Sequence, residues 1–161
     1  MTKLEQRLDE LTRRVQALED ELALHRLIVR YGLAVDAGDA DAAAATFPDD
    51  GVSDVAGGVM RGPAAVAAMV RGDRHQTMVG RCAHQIGPAV VEVAGDRATA
   101  VGYSRGYLAA EGGVDVYRVS TNRWRLERRD GAWAIAERTT RMLGHIESLR
   151  PFSPLPTPHM P

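Results

Sequence analysis

The second half of the chain reads as a run of strands joined by very short turns, and this pattern limits the possible folds more than any other feature. Apolar and β-branched residues dominate four segments, which the turn sequences AGD, EGG and RDG separate. The segments are residues 84–93, 97–110, 114–129 and 132–143. Strands linked in this way predict an antiparallel meander.

The last two segments are long for globular strands, and long strands in a small domain bend. Gly102 and Gly106 lie inside the second segment, where they would permit a bulge or a close approach of the backbone. Helical patterns precede the strands, so we predict an α+β fold with three helices packed on a curved antiparallel sheet. A cone of this kind can enclose a ligand pocket.

The helices are predicted from their end signals. The first ends at Asp36, because Gly38 follows as a helix stop and Asp39 as the N-cap of the next helix. A second helix, a weak hairpin and a third helix are predicted at residues 40–47, 52–55 with 59–60, and 63–70.

Apolar residues near the N-terminus recur at alternating spacings of four and three. They are Leu4, Leu8, Leu11, Val15, Leu18 and Leu22. This heptad pattern is typical of a helix that packs along another helix, and its register fails at His25. It predicts either a subunit contact, and hence a homo-oligomer (dimer or trimer), or a helix laid over the domain.

With 161 residues the chain has the size of one domain with a proper core. We divide it into a heptad-patterned extension (1–22), a domain (23–145) and a Pro-rich tail (146–161). The tail is predicted to be either a disordered end or an extended arm.

Composition narrows the classes of function. A net charge of -1 provides no field to gather nucleic acid or an anionic membrane, so we expect neither as a partner. No apolar run could span a bilayer and the N-terminus is charged, so a cytoplasmic protein is expected. A single cysteine, Cys82, excludes an internal disulfide and a Cys-based zinc site, and the five histidines lack metal-ligand spacing. We expect neither a metal nor a cofactor.

Asp36 occupies an unusual place for a carboxylate. It falls on one helical stripe with Ile28, Val29 and Leu33, which we expect to be the buried face of the helix. It also lies in the last turn, at the negative end of the helix dipole. Both conditions disfavour its charge, so it needs a partner or a task. The alternative is that Asp36 caps a loop or faces solvent.

Several stretches together resemble the SnoaL-like branch of the nuclear transport factor 2 fold. They are Tyr31 with Asp36, AGDADAAAATFPDDGVSD, CAHQIGPAVVEVAGDRATAVGY and DGAWAIAERTTRM. The resemblance covers about residues 20–145 and is nearest to scytalone dehydratase, bile acid 7α-dehydratase and hexachlorocyclohexane dehydrochlorinase. It implies an Asp–His catalytic dyad inside the cone, formed here by Asp36 and His84.

The resemblance also matches Tyr31 to an active-site tyrosine and Arg141 to an arginine found in some members. Tyr31 lies about 140° around a regular helix from Asp36, so a structural role between helix and sheet is an equal alternative. Arg138 is a rival to Arg141, which strand alternation places with Ile135. Cys82 shares a face with His84 and is interpreted as a packed thiol.

A histidine held by a carboxylate can remove a proton from carbon next to a carbonyl. The enolate then needs a donor, such as Tyr31 or Arg141, and expels a leaving group or is reprotonated. The expected substrate is small and hydrophobic, since the candidate pocket residues are mostly apolar. These are Phe47, Met69, Trp124, Leu126 and, at the mouth, His145.

The predicted function is therefore a cofactor-independent lyase or isomerase of dehydratase type, acting on a hydrophobic carbonyl compound such as a polyketide- or steroid-like intermediate. One alternative is an aldol cyclase or epoxide-opening enzyme on the same fold. Another is a non-catalytic ligand-binding or assembly subunit, which the heptad pattern would suit.

Overall fold

The computed structural model describes residues 2–156 and begins with one long helix. Helix α1 (Lys3–Asp36) has 34 residues. Thr2 starts it with a capping box, since its hydroxyl accepts from the Glu5 N–H and its own N–H donates to the Glu5 carboxylate. Gly38, at φ +71°, ends it in the left-handed conformation that a residue with a Cβ adopts at a cost.

The docked part of α1 begins at Asp20, and nearly every residue before it is exposed. From there Leu24, Ile28, Tyr31 and Val35 form the buried face. The predicted boundary between extension and domain, at 22/23, therefore lies within a continuous helix. The heptad extension does not lie over its own domain.

Asp20 anchors α1 where the helix meets the sheet. Its carboxylate accepts hydrogen bonds from the Arg128 guanidinium at 2.6 Å and from the Trp133 indole N–H at 3.2 Å. Burial alone would raise the pKa of Asp20, but these hydrogen bonds and the charge of Arg128 outweigh it and lower that pKa. The Arg128 guanidinium also stacks over Trp133, 4.4 Å from the ring centroid.

Short elements follow α1. They are α2 (Ala40–Ala44), β1 (Val52–Val55), β2 (Gly58–Arg61), α3 (Gly62–Arg71) and α4 (Asp73–Gln76). Asp39 caps α2 as predicted, accepting from the Ala42 N–H at 2.9 Å. The sequence reading missed α4, one turn without a buried side chain, because so short an element has no hydrophobic period.

Five strands complete the fold. They are β3 (Cys82–Ile86), β4 (Val90–Ala94), β5 (Arg97–Ala110), β6 (Gly113–Arg129) and β7 (Ala132–Met142). The strand predicted at 84–93 is two strands, because Pro88 lacks a donor and Gly87 N–H turns to the Tyr103 carbonyl. Both halves pair with β5 along the same edge.

The strands form a seven-stranded sheet in the order β2-β1-β7-β6-β5-β3, with β4 also beside β5. All pairings are antiparallel except β1 with β7, which is parallel. The sheet is curved and does not close, so the predicted α+β fold is confirmed. No helix of residues 2–156 is both long enough and apolar enough to cross a bilayer.

Two bulges interrupt the long strands. On β6, Tyr117 is an extra residue, because Gly106 pairs with Arg118 while Tyr107 pairs with Val116. On β7, Ala136 is the extra residue, opposite the step from Arg125 to Leu126. Each bulge reverses which side chains face the sheet's inner surface beyond it.

The tail lies partly on the sheet. A 3-10 turn at Arg150–Phe152 brings Phe152 against the Tyr103 ring, and the Arg123 side chain donates to the Pro151 carbonyl at 2.7 Å. This part of the tail is an arm on the domain, which is one of the two predicted alternatives. Residues 157–161 lie outside the described part of the chain.

Candidate active site

Asp36 and His84 are in direct contact. Oδ1 of Asp36 is 2.5 Å from Nδ1 of His84, and Oδ2 accepts the backbone N–H of His84 at 2.6 Å. The last turn of α1 and strand β3 hold the two residues. Gly32 lets them approach, because a Cβ there would lie 3.0 Å from the Ile86 side chain. The carboxylate thus fixes both the backbone and the ring of His84.

The other ring nitrogen of His84 has two donors. Arg118 Nη2 lies 2.9 Å from Nε2, and the Tyr117 hydroxyl lies 3.3 Å from it. A guanidinium can only donate, so Nε2 is an acceptor and the ring proton is on Nδ1, facing Asp36. This is the tautomer that a general base needs. The side chains of His84 and Asp36 are 17% and 15% exposed, so the pair is partly accessible to solvent.

The bulge at Tyr117 places both donors. In a regular strand Tyr117 and Arg118 would point to opposite faces, but the extra residue turns both toward His84. Gly106 makes room for the tyrosine ring, since a Cβ there would lie 2.6 Å from Cε1 of Tyr117. Sequence reasoning singled out Gly106 but missed Tyr117 and Arg118, because nothing in β6 marks the extra residue.

Cys82 completes this group of residues. Its sulfur lies 3.9 Å from Oδ1 of Asp36. Burial, followed by the charge of Asp36, raises the pKa of the Cys82 thiol. Burial also raises the pKa of Tyr117, which keeps its hydroxyl protonated as a donor. Cys82 is thus held as a neutral thiol, which agrees with the interpretation as a packed side chain.

Asp36, Cys82 and His84 offer three ligand atoms within 4.8 Å of one another, the spacing of a metal site. In this arrangement the His84 nitrogen that faces the carboxylate carries a proton. The thiol is protonated as well, and the Arg118 cation lies beside the ring. A metal ion would have to displace both protons. The chemistry of the donor set therefore suits a hydrogen-bonded dyad better than a cation.

A second polar cluster lies deeper, around Tyr31. Arg138 donates to the Tyr31 hydroxyl and to Oδ1 of Asn122, each at 3.2 Å. Asn122 also binds the hydroxyls of Ser104 and Thr140, at 2.9 and 2.8 Å. Tyr31 packs edge-on against Phe47, 5.5 Å between ring centroids. Tyr31 therefore joins helix to sheet and also presents a hydroxyl inside the fold.

Arg138 is a buried cation without an acidic partner. It is 9% exposed, and no carboxylate of residues 2–156 forms an ion pair with it. Within the described part of the chain, its Nε–H has no acceptor, and neither has the indole N–H of Trp124, its direct cross-strand neighbour. Buried donors without acceptors cost free energy, and they cluster where a ligand or water supplies the acceptor.

Arg141, the arginine that the resemblance selected, lies elsewhere. It forms two hydrogen bonds with the Asp54 carboxylate, at 3.0 and 2.7 Å, and a longer one with Glu147. The bulge at Ala136 is the reason, because it places Arg138 rather than Arg141 on the buried face with Ile135. Strand alternation placed Arg141 on the face of Ile135 because it did not allow for the bulge. With the bulge, Arg138 lies on that face instead.

The predicted pocket residues have different surroundings. Phe47, Trp124 and Leu126 are fully buried in the core, and Met69 packs at its margin. His145 is exposed in the turn after β7 and accepts the Glu147 N–H. Two open concavities of about 470 and 440 Å³ lie on the surface, and neither is lined by Asp36 or His84.

The chain is similar to proteins of known structure. An NTF2-like protein with a cystatin-like fold from Novosphingobium aromaticivorans is 36% identical, with 90% of this chain and 96% of that chain covered and a TM-score of 0.85. A Mycobacterium tuberculosis protein of unknown function is 28% identical, with 92% and 80% covered and a TM-score of 0.71.

The hexachlorocyclohexane dehydrochlorinase LinA-type3 from Novosphingobium barchaimii is 21% identical, with 81% and 90% covered and a TM-score of 0.69, a likeness of fold. None of the curated proteins matches the chain. The family model of the SnoaL-like domain matches residues 16–139, well over half of the sequence. This chain therefore belongs to the SnoaL-like domain family.

Proposed function

We propose that this protein is a cofactor-independent lyase or isomerase that begins its reaction by removing a proton from carbon. The observation that carries the proposal is the Asp36–His84 pair, with the ring proton on Nδ1 and an acceptor nitrogen, Nε2, that faces Arg118. The proton would move from a carbon next to a carbonyl to Nε2. The imidazolium so formed would be stabilised by Asp36, 2.5 Å from Nδ1.

Arg118 and Tyr117 must leave Nε2 before substrate can use it. Arg118 is held there by one hydrogen bond, and Tyr117 by a longer one, so a ligand can displace both without unfolding β6. Once displaced, the guanidinium and the phenol remain beside the base. There they can donate to a leaving hydroxyl or halide as its bond to carbon breaks.

The electron pair released by proton abstraction needs a donor at the carbonyl oxygen. Arg138 and Tyr31 supply one, since the Tyr31 oxygen accepts from Arg138 and its own proton remains free to donate. Tyr31 precedes Asp36 by five residues, about 7.5 Å along the axis of α1. A substrate that reaches from the dyad to Tyr31 is therefore larger than a single carbonyl group.

The surroundings favour a hydrophobic substrate. Most of the inner residues outside the two polar clusters are apolar, and Phe47, Met69 and Ile86 are among them. A bulky ketone of polyketide- or steroid-like shape suits this lining, with its carbonyl toward Arg138 and its acidic carbon toward His84. In a dehydration the imidazolium returns its proton to the departing hydroxyl, so that water is the only by-product.

The fold relative named a dehydrochlorinase supports an elimination on this scaffold, although its likeness concerns the fold alone. Cyclisation by aldol closure begins with the same proton abstraction. Product mass separates the two reactions, because dehydration releases water and cyclisation conserves mass.

The test is carbon-acid exchange in heavy water. Purified protein is incubated with a panel of bulky ketones and β-hydroxy ketones, and deuterium incorporation and product mass are followed by NMR and mass spectrometry. Wild-type protein should exchange the proton next to the carbonyl, and Asp36→Asn and His84→Gln should not. Arg141→Gln is the matched control, which should retain exchange. Equal exchange by wild type and both dyad variants would overturn the proposal.

A further inference from the structure

The apolar residues of the heptad extension are exposed. Between 49% and 70% of each of the six residues is accessible to solvent. We call these residues, together with Val29 and Leu33, the α1 seam. Leu33 is 62% exposed and Val29 is 44% exposed, so the prediction that they share the buried face with Ile28 is wrong. The seam is thus an apolar stripe along nearly all of α1.

The seam and the buried face lie on opposite sides of the helix. At 100° per residue, the seam residues centre about 150° away from Leu24, Ile28, Tyr31 and Val35. In the extension, where nearly every side chain is exposed, a partner helix could therefore lie along the seam without meeting the sheet or α2. Beyond the break at His25, Val29 and Leu33 leave apolar surface on the same side of the helix.

An extension that packs against nothing is expected to be only marginally stable as a helix. Residues 3–19 extend about 25 Å from the domain, with nearly every side chain exposed. Isolated helices of this length are marginal in water, and most helical stability in proteins comes from packing an apolar face. Burial of the exposed leucines would supply that stability, at roughly 1.5–3 kcal/mol for each side chain.

The charges beside the seam suit a second copy of the same helix. In an in-register parallel pair, Arg14 would face Glu19 of the second copy, and Glu21 would face Arg26 of the second copy. Symmetry repeats each pair, so four attractive contacts flank the seam. The remaining position of this kind sets Arg7 against Thr12, which is neutral.

The residues within the seam indicate the number of helices. Leu4, Leu11 and Leu18 occupy one set of heptad positions, and Val15 and Val29 alternate with leucines in the other. A β-branched residue at the first position with leucine at the second favours two-stranded parallel coils. We propose that the α1 seam joins two copies of this chain as a parallel, in-register helix pair.

The first test measures mass in solution by sedimentation or light scattering at micromolar concentration. Wild-type protein should have twice the 17.4 kDa mass of one chain. Leu11→Glu with Leu18→Glu should give one chain, with the domain still folded, since both residues are exposed in the single chain. The matched control, Gln6→Glu with Arg13→Glu, adds the same carboxylates on the other side of the helix and should remain a dimer.

Three outcomes would overturn the proposal. They are a monomeric wild type, a particle of three chains, and a dimer that survives the Leu11→Glu and Leu18→Glu changes. Circular dichroism of the double variant separates loss of pairing from loss of fold, because only the helical signal of the extension should fall.

The second test concerns orientation. In a Cys82→Ser background, Leu11→Cys should form an inter-chain disulfide on mild oxidation, because residue 11 meets its own copy in a parallel pair. Arg13→Cys, on the far side of the helix, should stay reduced. Failure of both variants to cross-link, or cross-linking of both at the same rate, would overturn the parallel arrangement. Neither test depends on catalysis, so failure here leaves the proposed function standing.

Discussion

The two polar clusters inside this fold differ in the partners that their charged side chains have. In the edge cluster, the Asp36 carboxylate accepts hydrogen bonds from the backbone and the ring of His84, and the other ring nitrogen accepts one from Arg118. Deeper in, Arg138 is surrounded by neutral acceptors only, and one of its N–H groups has none. The charged groups of the edge cluster all have hydrogen-bond partners, whereas the inner cluster needs one more acceptor for Arg138. Under the proposed function, this difference would place proton transfer at the edge and stabilisation of negative charge in the interior.

The largest effect is expected when the residues of the edge cluster are replaced. Asp36→Asn and His84→Gln should each lower the rate of proton abstraction by about 10²-fold or more, because base and orienting group act as a unit. The double variant should be little slower than either single one. If the rate loss of the double variant equalled the product of the two single losses, the two residues would act independently.

A substitution in the inner cluster should lower activity with little effect on the free energy of unfolding. Arg138→Met should lower activity by about 10²-fold, as expected for loss of one donor to developing charge. Its free energy of unfolding should change by less than about 1 kcal/mol, since a buried cation without a carboxylate contributes little. Rates and denaturant midpoints of the same preparations provide the measurement.

Arg141→Met is the matched control and should behave in the reverse way. Activity should be kept, but stability at pH 7 should fall by about 1–3 kcal/mol through loss of the Asp54 pair. The hydrogen bonds from Arg141 lower the pKa of Asp54, so this stability is present above about pH 4 and disappears as pH falls further. The two proteins should therefore converge in acid. Equal effects of both arginine changes on activity would contradict the comparison.

The bulge that places Tyr117 and Arg118 can be tested at Gly106. Gly106→Ala puts a methyl group where the Tyr117 ring lies, so the ring should move away from His84 at a cost of about 1–3 kcal/mol. Activity should fall about tenfold. Gly113→Ala, where an added Cβ meets nothing within 4 Å, is the control. If both variants matched wild type, the bulge would have no part in the site.

The smallest expected effect concerns Cys82. Its raised pKa keeps the thiol neutral at pH 8, so alkylation by iodoacetamide should be slower than that of free cysteine. Because the Asp36 charge contributes to that rise, Asp36→Asn should speed the reaction several-fold. Labelling followed over time by mass spectrometry gives the rates. An unchanged rate in Asp36→Asn would leave burial as the sole cause.

Much of the fold could be predicted because it depends on local signals. Gly38 and Asp39 mark the end of α1 and the start of α2, and the AGD, EGG and RDG turns separate β4 to β7. The pairing of Asp36 with His84 was reached through a family resemblance, since nothing local joins residues 48 positions apart. Arg118 and Tyr117 carried no signal at all.

The errors share one cause. Alternation along β7 placed Arg141 on the same face as Ile135, and residues 84–93 were predicted to form one continuous strand, because each inference extended a regular period. Bulges and breaks are resolved by how neighbouring strands pair, which depends on residues far away in the chain. A single extra residue then reverses every side chain that follows it.

By itself, the sequence determined the order of the main helices and most strands, the boundary between α1 and α2 at Gly38 and Asp39, and the apolar seam of the N-terminal extension. These follow from spacing and from the conformations that individual residues allow. Only the tertiary structure decided which side chains meet: His84 with Arg118, and Tyr31 with Arg138 in place of Arg141. The physical reason is that register and bulges are set by the pairing of whole strands, and a site built across three strands and a helix inherits its geometry from that pairing.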